Sequence, residues 1–222
     1  MTLFLVSTPI GNLNDISLRA VETLKQSDYL LCEDTRVSGK LLHHLGFKKP
    51  LKSFHKFSEA KNEEQIISDL KKGLTISLLS DAGTPLICDP GERLVRECHL
   101  NKIKVEAIPG PCALIQALVT SGWSASPFQF LGFMPRKPGA FGKLLLTIKT
   151  FPGTSIVYET KFRLIKTLEW TLEVDPDIHV GVARELTKMY EEFVEGSPQE
   201  LITYFSKKLP KGEFVLLFKP CM

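Results

Sequence analysis

Three short apolar runs in the first half of the chain each end in a proline-containing loop, and these junctions are its clearest pattern. The run and loop pairs are 3–6 with 7–12, 74–79 with 80–85, and 105–108 with 109–113. An apolar run that breaks into small and polar residues is typical of a buried parallel strand followed by a loop. Because open α/β sheets bind ligands outside the carboxyl ends of their strands, the three loops predict one shared crevice for a small ligand.

Apolar residues at helical spacing follow the first loop. They begin at Ile16, and either Asn14 or Asp15 is available as the N-cap. Residues 29–32 predict a further strand, which ends in the polar run 33–36. The alternation of strand and helix indicates a parallel sheet with right-handed crossovers.

Two more helices are predicted before the middle of the chain. A polar helix begins at Ser58 and stops near Gly73. Another covers 91–101, with Asp89 as its N-cap and Pro90 at its first position, where the missing N–H costs nothing.

The second half of the chain has more closely spaced strands, which begin after a predicted linker at 121–127. The predicted strands are 128–133, 155–158, 179–183, 192–194 and 214–218, and the predicted helices are 142–149, 161–172 and 198–207. Strands that follow one another without a helix imply a mixed or antiparallel sheet. The fold class is therefore α/β, with two α/β domains at 1–120 and 121–222, a mostly parallel N-terminal sheet and a mixed C-terminal sheet.

Composition adds little to this assignment but excludes several classes of protein. The chain has 222 residues, 43% of them hydrophobic, and a net charge of +3, which permits a nucleic-acid partner without demanding one. The five cysteines have no paired or metal-like spacing, so we expect free thiols in a reducing compartment and no metal site. No apolar run approaches the roughly 18 residues of a membrane span, so a soluble cytoplasmic protein is expected.

Common catalytic motifs are absent. The chain has no GxGxxG fingerprint after its first strand, no Walker A sequence, no GxSxG elbow and no HExxH pair. The predicted loops instead offer backbone N–H groups, hydroxyls and the carboxylate of Asp81, a set that suits a polar or zwitterionic small molecule.

A set of short motifs spans nearly the whole chain, at 7–13 with 15–20, 33–36, 80–85 with 89–91, 109–113, 132–137, and 183–188 with 191–193. In these motifs and in their order, the chain resembles the tetrapyrrole-methylase superfamily and, within it, the bacterial ribosomal RNA small-subunit methyltransferase I branch.

The resemblance implies transfer of a methyl group from S-adenosylmethionine to the 2′-hydroxyl of a cytidine in the decoding region of small-subunit (16S) ribosomal RNA. It also implies two α/β domains with the cofactor in the cleft between them, a homodimer, and the 30S subunit or its RNA as the partner. The cofactor contacts that it implies are Pro9, Ser80, Asp81, Ala82, Gly83, Thr84, Pro85, Pro109, Gly110, Pro111, Cys112, Ala113, Ala183 and Leu186.

Removal of a proton from a ribose hydroxyl calls for a base or a polarising cation. The candidates are Glu33, Asp34, His55 and Lys188, with Glu159 and Glu185 as further carboxylates, and the sequence does not choose among them. The candidate phosphate contacts are Arg36, Arg136, Lys137, Arg163 and Arg184, with Lys188 again possible, and the candidate base-stacking rings are Phe57, Phe141 and Phe162.

Two alternatives stay open. The same fold could methylate a tetrapyrrole or another small substrate, although 33–36 and 183–188 match the RNA branch. The chain could also be a catalytically inactive, cofactor-binding ribosome-associated protein, since Phe57 and Phe162 stand where the family has histidine and the sequence ends at Met222, where many members continue.

Overall fold

In the computed structural model, residues 1–55, 59–207 and 211–219 are described. The chain divides into two compact units, Met1–Cys112 and Ala113–Met222. Each unit contains one five-stranded sheet, which confirms the predicted α/β class with two sheets.

The sheet of the first unit is entirely parallel, as the alternation of strand and helix predicted. Its strands are β1 (Thr2–Val6), β2 (Tyr29–Cys32), β3 (Leu51–Ser53), β4 (Thr75–Leu79) and β5 (Lys104–Ile108). They lie in the order β3-β2-β4-β1-β5, so β1 lies between β4 and β5. The three predicted strand-end loops therefore leave the sheet side by side.

Neighbouring residues of a strand point to opposite faces of the sheet. Both faces of this sheet carry apolar side chains, so helices cover both. The helices are α1 (Leu18–Gln26), α2 (Thr35–His44), α3 (Glu59–Lys71) and α4 (Glu92–Leu100). Leu31 and Leu78 pack against α3 and α4, whereas Leu30 and Leu79 pack against α1 and α2. Strand β3 and helix α2 have no counterpart among the predicted elements.

The predicted helix caps differ from those in the structure. Helix α1 is capped by Ser17, whose Oγ accepts a hydrogen bond from the Ala20 N–H at 3.1 Å. Asn14 and Asp15 lie instead in a short 3₁₀ helix, Leu13–Asp15. Helix α3 begins at Glu59, and the predicted start, Ser58, lies outside the described residues.

Asp89 and Pro90 do not begin helix α4. The helix begins at Glu92 with Gly91 as its N-cap, at a φ of 128°. A Cβ on Gly91 would lie 2.6 Å from Leu78 Cδ2, so packing against the sheet requires glycine there. This tertiary contact overrides the local preference for the Asp-Pro start.

The second unit begins at helix α5 (Ala113–Ser121), eight residues before the predicted boundary. Its strands are β6 (Phe128–Phe133), β7 (Thr154–Thr160), β8 (Val180–Arg184), β9 (Glu192–Gly196) and β10 (Glu213–Phe218), in the order β6-β7-β10-β8-β9. Because α5 packs on β7 and β10, it belongs with this sheet. Only β6 and β7 pair in parallel, and the other pairs are antiparallel, which confirms the predicted mixed sheet.

Three helices form the core of the second unit with this sheet. They are α6 (Pro138–Thr150), α7 (Leu164–Val174) and α8 (Pro198–Ser206). Helix α8 begins with the capping box that its sequence predicts, in which Ser197 and Glu200 exchange hydrogen bonds. Buried side chains such as Leu145, Leu168 and Leu216 fill the space between helices and strands.

The predicted linker at 121–127 is part of the second unit. The Trp123 Nε1–H donates to Glu195 Oε2 at 2.8 Å, and the Thr154 hydroxyl donates to the Ser124 carbonyl at 2.7 Å. The small residues and proline that suggested a linker therefore form a turn held against the sheet. No helix within the described ranges is long and apolar enough to span a membrane.

Candidate functional site

The loops after β1 and β4 are joined by a pair of backbone hydrogen bonds. The Thr8 N–H donates to the Gly83 carbonyl at 2.9 Å, and the Gly83 N–H donates to the Thr8 carbonyl at 3.0 Å. The Thr8 hydroxyl adds a bond to the Ser80 carbonyl at 3.0 Å, in a buried position. The two loops are thus fixed to each other by contacts that do not depend on flexible side chains.

The hydroxyl of Thr84 connects these two loops to the loop after β5. It accepts a hydrogen bond from the Ser7 hydroxyl at 3.2 Å and donates to the Pro111 carbonyl at 3.0 Å. Because β1 lies between β4 and β5, the three loops lie side by side, and Thr84 contacts the loop after β1 and the loop after β5. The three loops therefore form one connected edge, and that this edge provides a crevice for a small ligand stays a prediction.

Two glycines allow the loops to approach this closely. Gly83 has a φ of 87°, and a Cβ there would lie 3.2 Å from Ile10 Cγ2. A Cβ on Gly110 would lie 2.8 Å from the Cβ of Ser7. A Cβ on Gly110 would collide with Ser7, whereas at Gly83 a Cβ would crowd Ile10 and the positive φ itself favours glycine.

Asp81 connects this edge to the loop after β2. Its Oδ1 accepts a hydrogen bond from the Asp34 N–H at 3.0 Å. Its Oδ2 has no hydrogen-bond partner among the residues that the structure describes, and the side chain is half-buried. One carboxylate oxygen thus holds the loops together, and the other is available to a ligand.

The remaining predicted cofactor contacts differ in their exposure. In the first unit, Pro9, Pro85 and Pro111 are buried residues, Ala82, Pro109 and Gly110 are exposed, and Cys112 is half-buried. In the second unit, Ala113 begins α5, Ala183 is fully buried in β8, and Leu186 is 7% exposed. That Ala183 and Leu186 contact the cofactor stays a prediction.

Asp34 is poorly suited to act as a base at neutral pH. Its carboxylate caps α2 by accepting from the Arg36 N–H at 2.8 Å and holds the Arg36 guanidinium at 2.6 Å. The hydrogen bonds from the Arg36 side chain and backbone lower the pKa of Asp34 to about 2. A carboxylate with so low a pKa is a weak proton acceptor.

Lys188 is also poorly suited to that role. Its Nζ donates to Glu185 Oε1 at 2.8 Å and to Glu213 Oε2 at 2.6 Å. Burial alone would lower the pKa of Lys188, but the two carboxylates outweigh burial and raise it. The same ammonium helps lower the pKa of Glu185 against the opposing effect of burial. A lysine held protonated cannot accept the ribose proton.

Glu33 and His55 lie at neighbouring positions of the first sheet. Both are exposed, and they follow the adjacent parallel strands β2 and β3. The Ser53 hydroxyl donates to the Glu33 carbonyl at 3.5 Å, and the Phe54 N–H donates to the Cys32 carbonyl at 2.8 Å, so the strand pairing extends to the loops. Of the four principal candidates for the base, these two have exposed side chains next to each other at this edge.

The carboxylate of Glu159 is buried and engaged in hydrogen bonds within the second unit. It is 3% exposed, accepts a hydrogen bond from the Thr167 hydroxyl at 2.6 Å, and binds the Thr160 N–H at 2.8 Å. Its contacts anchor the end of β7 to α7 within the core.

Three of the five predicted phosphate contacts are engaged within the protein. The Arg184 guanidinium donates to the Lys211 carbonyl at 2.7 Å and to Glu192 Oε1 at 2.6 Å. Arg163 Nη2 donates to the Met134 and Pro135 carbonyls at 2.8 and 3.2 Å. Together with the Arg36 pairing to Asp34, these contacts give all three arginines structural roles.

Arg136 and Lys137 are different from the other predicted cations. Both are exposed in the loop between β6 and α6, and neither side chain forms a hydrogen bond or ion pair with the part of the chain that the structure describes. They can approach a phosphate without breaking an existing contact.

The candidate base-stacking rings Phe141 and Phe162 differ in their exposure to solvent. Phe141 is 1% exposed and packs edge-to-face on Trp170, with ring centroids 5.2 Å apart, so it does not present a face to a ligand. Phe162 is 86% exposed, and the Lys161 Nζ lies 4.9 Å from the centre of its ring. Phe57 lies outside the described residues.

Two residues that join the loops of the first sheet, Ser7 and Thr8, are not among the predicted cofactor contacts. Ser7 and Thr8 were treated only as part of a loop, although their hydroxyls tie three loops together. Their position directly after a buried strand is the signal that could have identified them. No group of three His, Cys, Asp or Glu side chains that could hold a metal occurs among the described residues.

Comparison with known proteins finds relatives that match nearly the whole chain. The family model of the Tetrapyrrole (Corrin/Porphyrin) Methylases matches residues 2–202. A ribosomal RNA small subunit methyltransferase I of Hydrogenobaculum sp. (strain Y04AAS1) is 45% identical over 220 residues, covering 98% of this chain and 95% of the relative. The Thermotoga maritima protein of that name is 42% identical over 215 residues, covering 97% and 96%.

Two solved structures share the fold at low sequence identity. A uroporphyrin-III-C-methyltransferase from Thermus thermophilus has a TM-score of 0.67 at 18% identity, covering 98% of this chain and 94% of its own. A diphthine synthase has a TM-score of 0.79 at 13% identity, covering 99% and 90%. At such identities the similarity concerns the fold alone.

Proposed function

Because the chain belongs to the tetrapyrrole methylase family, and within it to the ribosomal RNA small subunit methyltransferase I group, we propose that it methylates the 2′-hydroxyl of a cytidine in 16S ribosomal RNA. The chain is an S-adenosylmethionine-dependent methyltransferase. The observation that carries the proposed substrate is the 45% identity, along nearly the full length of both chains, with a relative named for ribosomal RNA.

The edge of the first sheet fits S-adenosylmethionine in its chemistry. This ligand combines an ammonium, a carboxylate and ribose hydroxyls, so it needs both acceptors and donors. The Asp81 carboxylate has an oxygen that can accept from an ammonium or a hydroxyl. Ala82 and Gly110 are exposed and small, so the backbone beside them is accessible to polar groups of a ligand.

Positioning is the main task of the protein in a methyl transfer. The bound cofactor supplies an electrophilic methyl group on a positively charged sulfur. Alignment of two reactants within a fixed site contributes up to roughly 7–11 kcal/mol in favourable cases. The loops joined through Thr8, Gly83 and Thr84 are suited to this task because their relative positions are fixed by backbone hydrogen bonds.

The proton of the ribose hydroxyl requires an acceptor, and we assign this role to Glu33 or His55. Both follow strands at the edge that carries the proposed cofactor loops. Asp34 and Lys188 are less suitable for the reasons of pKa given above. The remaining parts of the proposal are a cytoplasmic homodimer that acts on the 30S subunit or its RNA.

A methylation assay tests this function directly. The protein is incubated with radiolabelled S-adenosylmethionine and 30S subunits from cells that lack the modification, and the labelled nucleotide is then mapped. We expect a single 2′-O-methylcytidine in 16S ribosomal RNA. Transfer to a tetrapyrrole instead would move the protein to the small-substrate members of its fold, and cofactor binding without any transfer would favour a non-catalytic ribosome-associated role.

A further inference from the structure

The carboxyl ends of β6 and β7 carry an unusual combination of exposed rings and cations. These two strands pair in parallel, with Phe133 opposite Tyr158, so the loops that follow them leave the sheet at the same edge. Phe133 is 48% exposed and lies edge-to-face against Tyr158, with centroids 5.7 Å apart. Phe162, in the second loop, is 86% exposed.

The two loops are held together by Arg163. Its Nη2 donates to the carbonyls of Met134 and Pro135, which belong to the loop after β6. Arg163 itself follows β7, and it also lies 3.6 Å from the buried carboxylate of Glu159. One guanidinium thus braces the loops, which makes Arg163 a positioning residue for the groups beside it.

The charge of this surface has one sign. Arg136, Lys137 and Lys161 are exposed, and none has an acidic partner among the described residues. The segments 133–138 and 160–163 contain no Asp or Glu. This charge favours an anionic occupant, and the exposed rings favour one that also offers flat apolar faces.

We propose that this surface, formed by Phe133, Arg136, Lys137, Lys161 and Phe162, binds an unpaired RNA strand. The two phenylalanines stack on exposed bases, and the three cations contact phosphates. Proteins that bind single strands combine aromatic platforms with a positively charged track in this way. The proposal rests on the proposed function, since it names the part of the molecule that would hold the ribosomal RNA.

Binding to a labelled oligoribonucleotide separates the two kinds of contact. The probe is an unstructured strand about 12 nucleotides long, compared with an abasic strand of the same length, and affinity is measured by fluorescence anisotropy at several salt concentrations. Phe162→Leu should weaken binding of the intact strand about tenfold and leave the abasic strand unchanged, whereas Phe162→Tyr should retain affinity.

The contribution of the cations to RNA affinity should depend on the salt concentration. The double variant Arg136→Ala/Lys137→Ala should weaken both strands, and the slope of log K against log salt should become shallower by about 1.4, from two lost phosphate contacts. A matched control, Lys71→Ala/Leu100→Ala, removes an exposed cation and an exposed apolar side chain from the first unit and should change neither affinity. Affinity for S-adenosylmethionine should be unchanged in every variant.

Three results would overturn the proposal or separate it from the proposed function. Unchanged RNA affinity in all surface variants of an enzyme that methylates ribosomal RNA would remove the RNA role of this surface and leave the function intact. A loss of dimer mass in light scattering, with RNA affinity unchanged, would assign the surface to a second copy of the chain. Strand binding through the surface without methylation would support the docking role and reject the proposed function.

Discussion

The two sheet edges of this protein are built in different ways. At the edge of the first sheet, the loops are joined by backbone hydrogen bonds and by hydroxyls, and glycine permits the close approach at Gly83 and Gly110. At the end of β6 and β7, the Arg163 guanidinium joins two loops that project rings and cations into solvent. The first construction suits a ligand of fixed shape, whereas the second suits a polymer whose bases and phosphates vary in position.

This difference has a direct consequence for mutations. A change in backbone conformation should damage the first edge and spare the second. A change of side chain at the second edge should alter RNA binding and spare the cofactor. The following experiments test this division, beginning with the largest expected effect.

Substitution of Gly83 by alanine should be the most damaging change. The residue has a φ of 87°, and the added Cβ would press on Ile10 Cγ2 at 3.2 Å. We expect a loss of about 2–3 kcal/mol in the free energy of unfolding and at least about tenfold weaker binding of S-adenosylmethionine. Urea denaturation and calorimetric titration measure the two effects.

Gly46 provides a matched control for that experiment. It also has a positive φ, 76°, but no heavy atom lies within 4 Å of the position of its Cβ. Gly46→Ala should therefore cost about 1 kcal/mol from backbone conformation alone and leave cofactor affinity intact. Equal effects of the two variants on cofactor binding would contradict a special role for Gly83.

Removal of the Arg163 side chain should destabilise the second unit by about 2 kcal/mol. Arg163→Ala removes the brace between two loops and leaves the buried Glu159 carboxylate without its nearby cation, although its bonds to Thr160 and Thr167 remain. Arg136→Ala, an exposed neighbour, should change stability by less than about 0.5 kcal/mol. Thermal denaturation of both variants checks the contrast, which a similar loss in each would remove.

Thr84→Val should have a smaller effect on stability and a specific effect on the cofactor. The variant keeps the shape of the side chain but loses the hydrogen bonds to Ser7 and Pro111, which should cost about 1–2 kcal/mol. Thr120→Val, which removes an exposed bond to its own helix, is the control and should be nearly neutral. If cofactor affinity falls in neither variant, the hydrogen bonds of Thr84 are not needed for cofactor binding.

The pH dependence of Asp34 should be the smallest effect. Its folded pKa of about 2 lies below the unfolded value of about 3.9, so its contribution to stability is present above pH 4 and is lost as the pH falls through 2. A carboxyl-carbon NMR titration should place its midpoint near 2. A midpoint near 3.9 would show that the contact with Arg36 does not persist in solution.

The sequence predicted nine of the ten described strands because apolar runs that end in small or polar residues are local patterns. It predicted the cap of α4 wrongly because glycine at position 91 is required by contact with Leu78, a residue of another element. Strand β3, only three residues long, lacks an apolar run. Local patterns therefore locate elements, whereas their ends depend on packing.

The site residues show the same difference between local patterns, which can be recognised in the sequence, and contacts between elements, which cannot. The loops at 80–85 and 109–113 could be identified from their position after strands. The role of Arg163 could not, because it depends on which strands pair in parallel. The predicted phosphate contacts Arg36 and Arg184 looked like surface cations in the sequence, and only the structure reveals their carboxylate partners.

Steady-state kinetics of Gly83→Ala and Phe162→Leu tests the division of labour most directly. The KM for S-adenosylmethionine and the KM for 30S subunits are measured separately in each variant. We predict that Gly83→Ala raises the KM for the cofactor and Phe162→Leu raises the KM for the subunit, each with little effect on the other. A variant that raises both constants equally would contradict the assignment of separate tasks to the two edges.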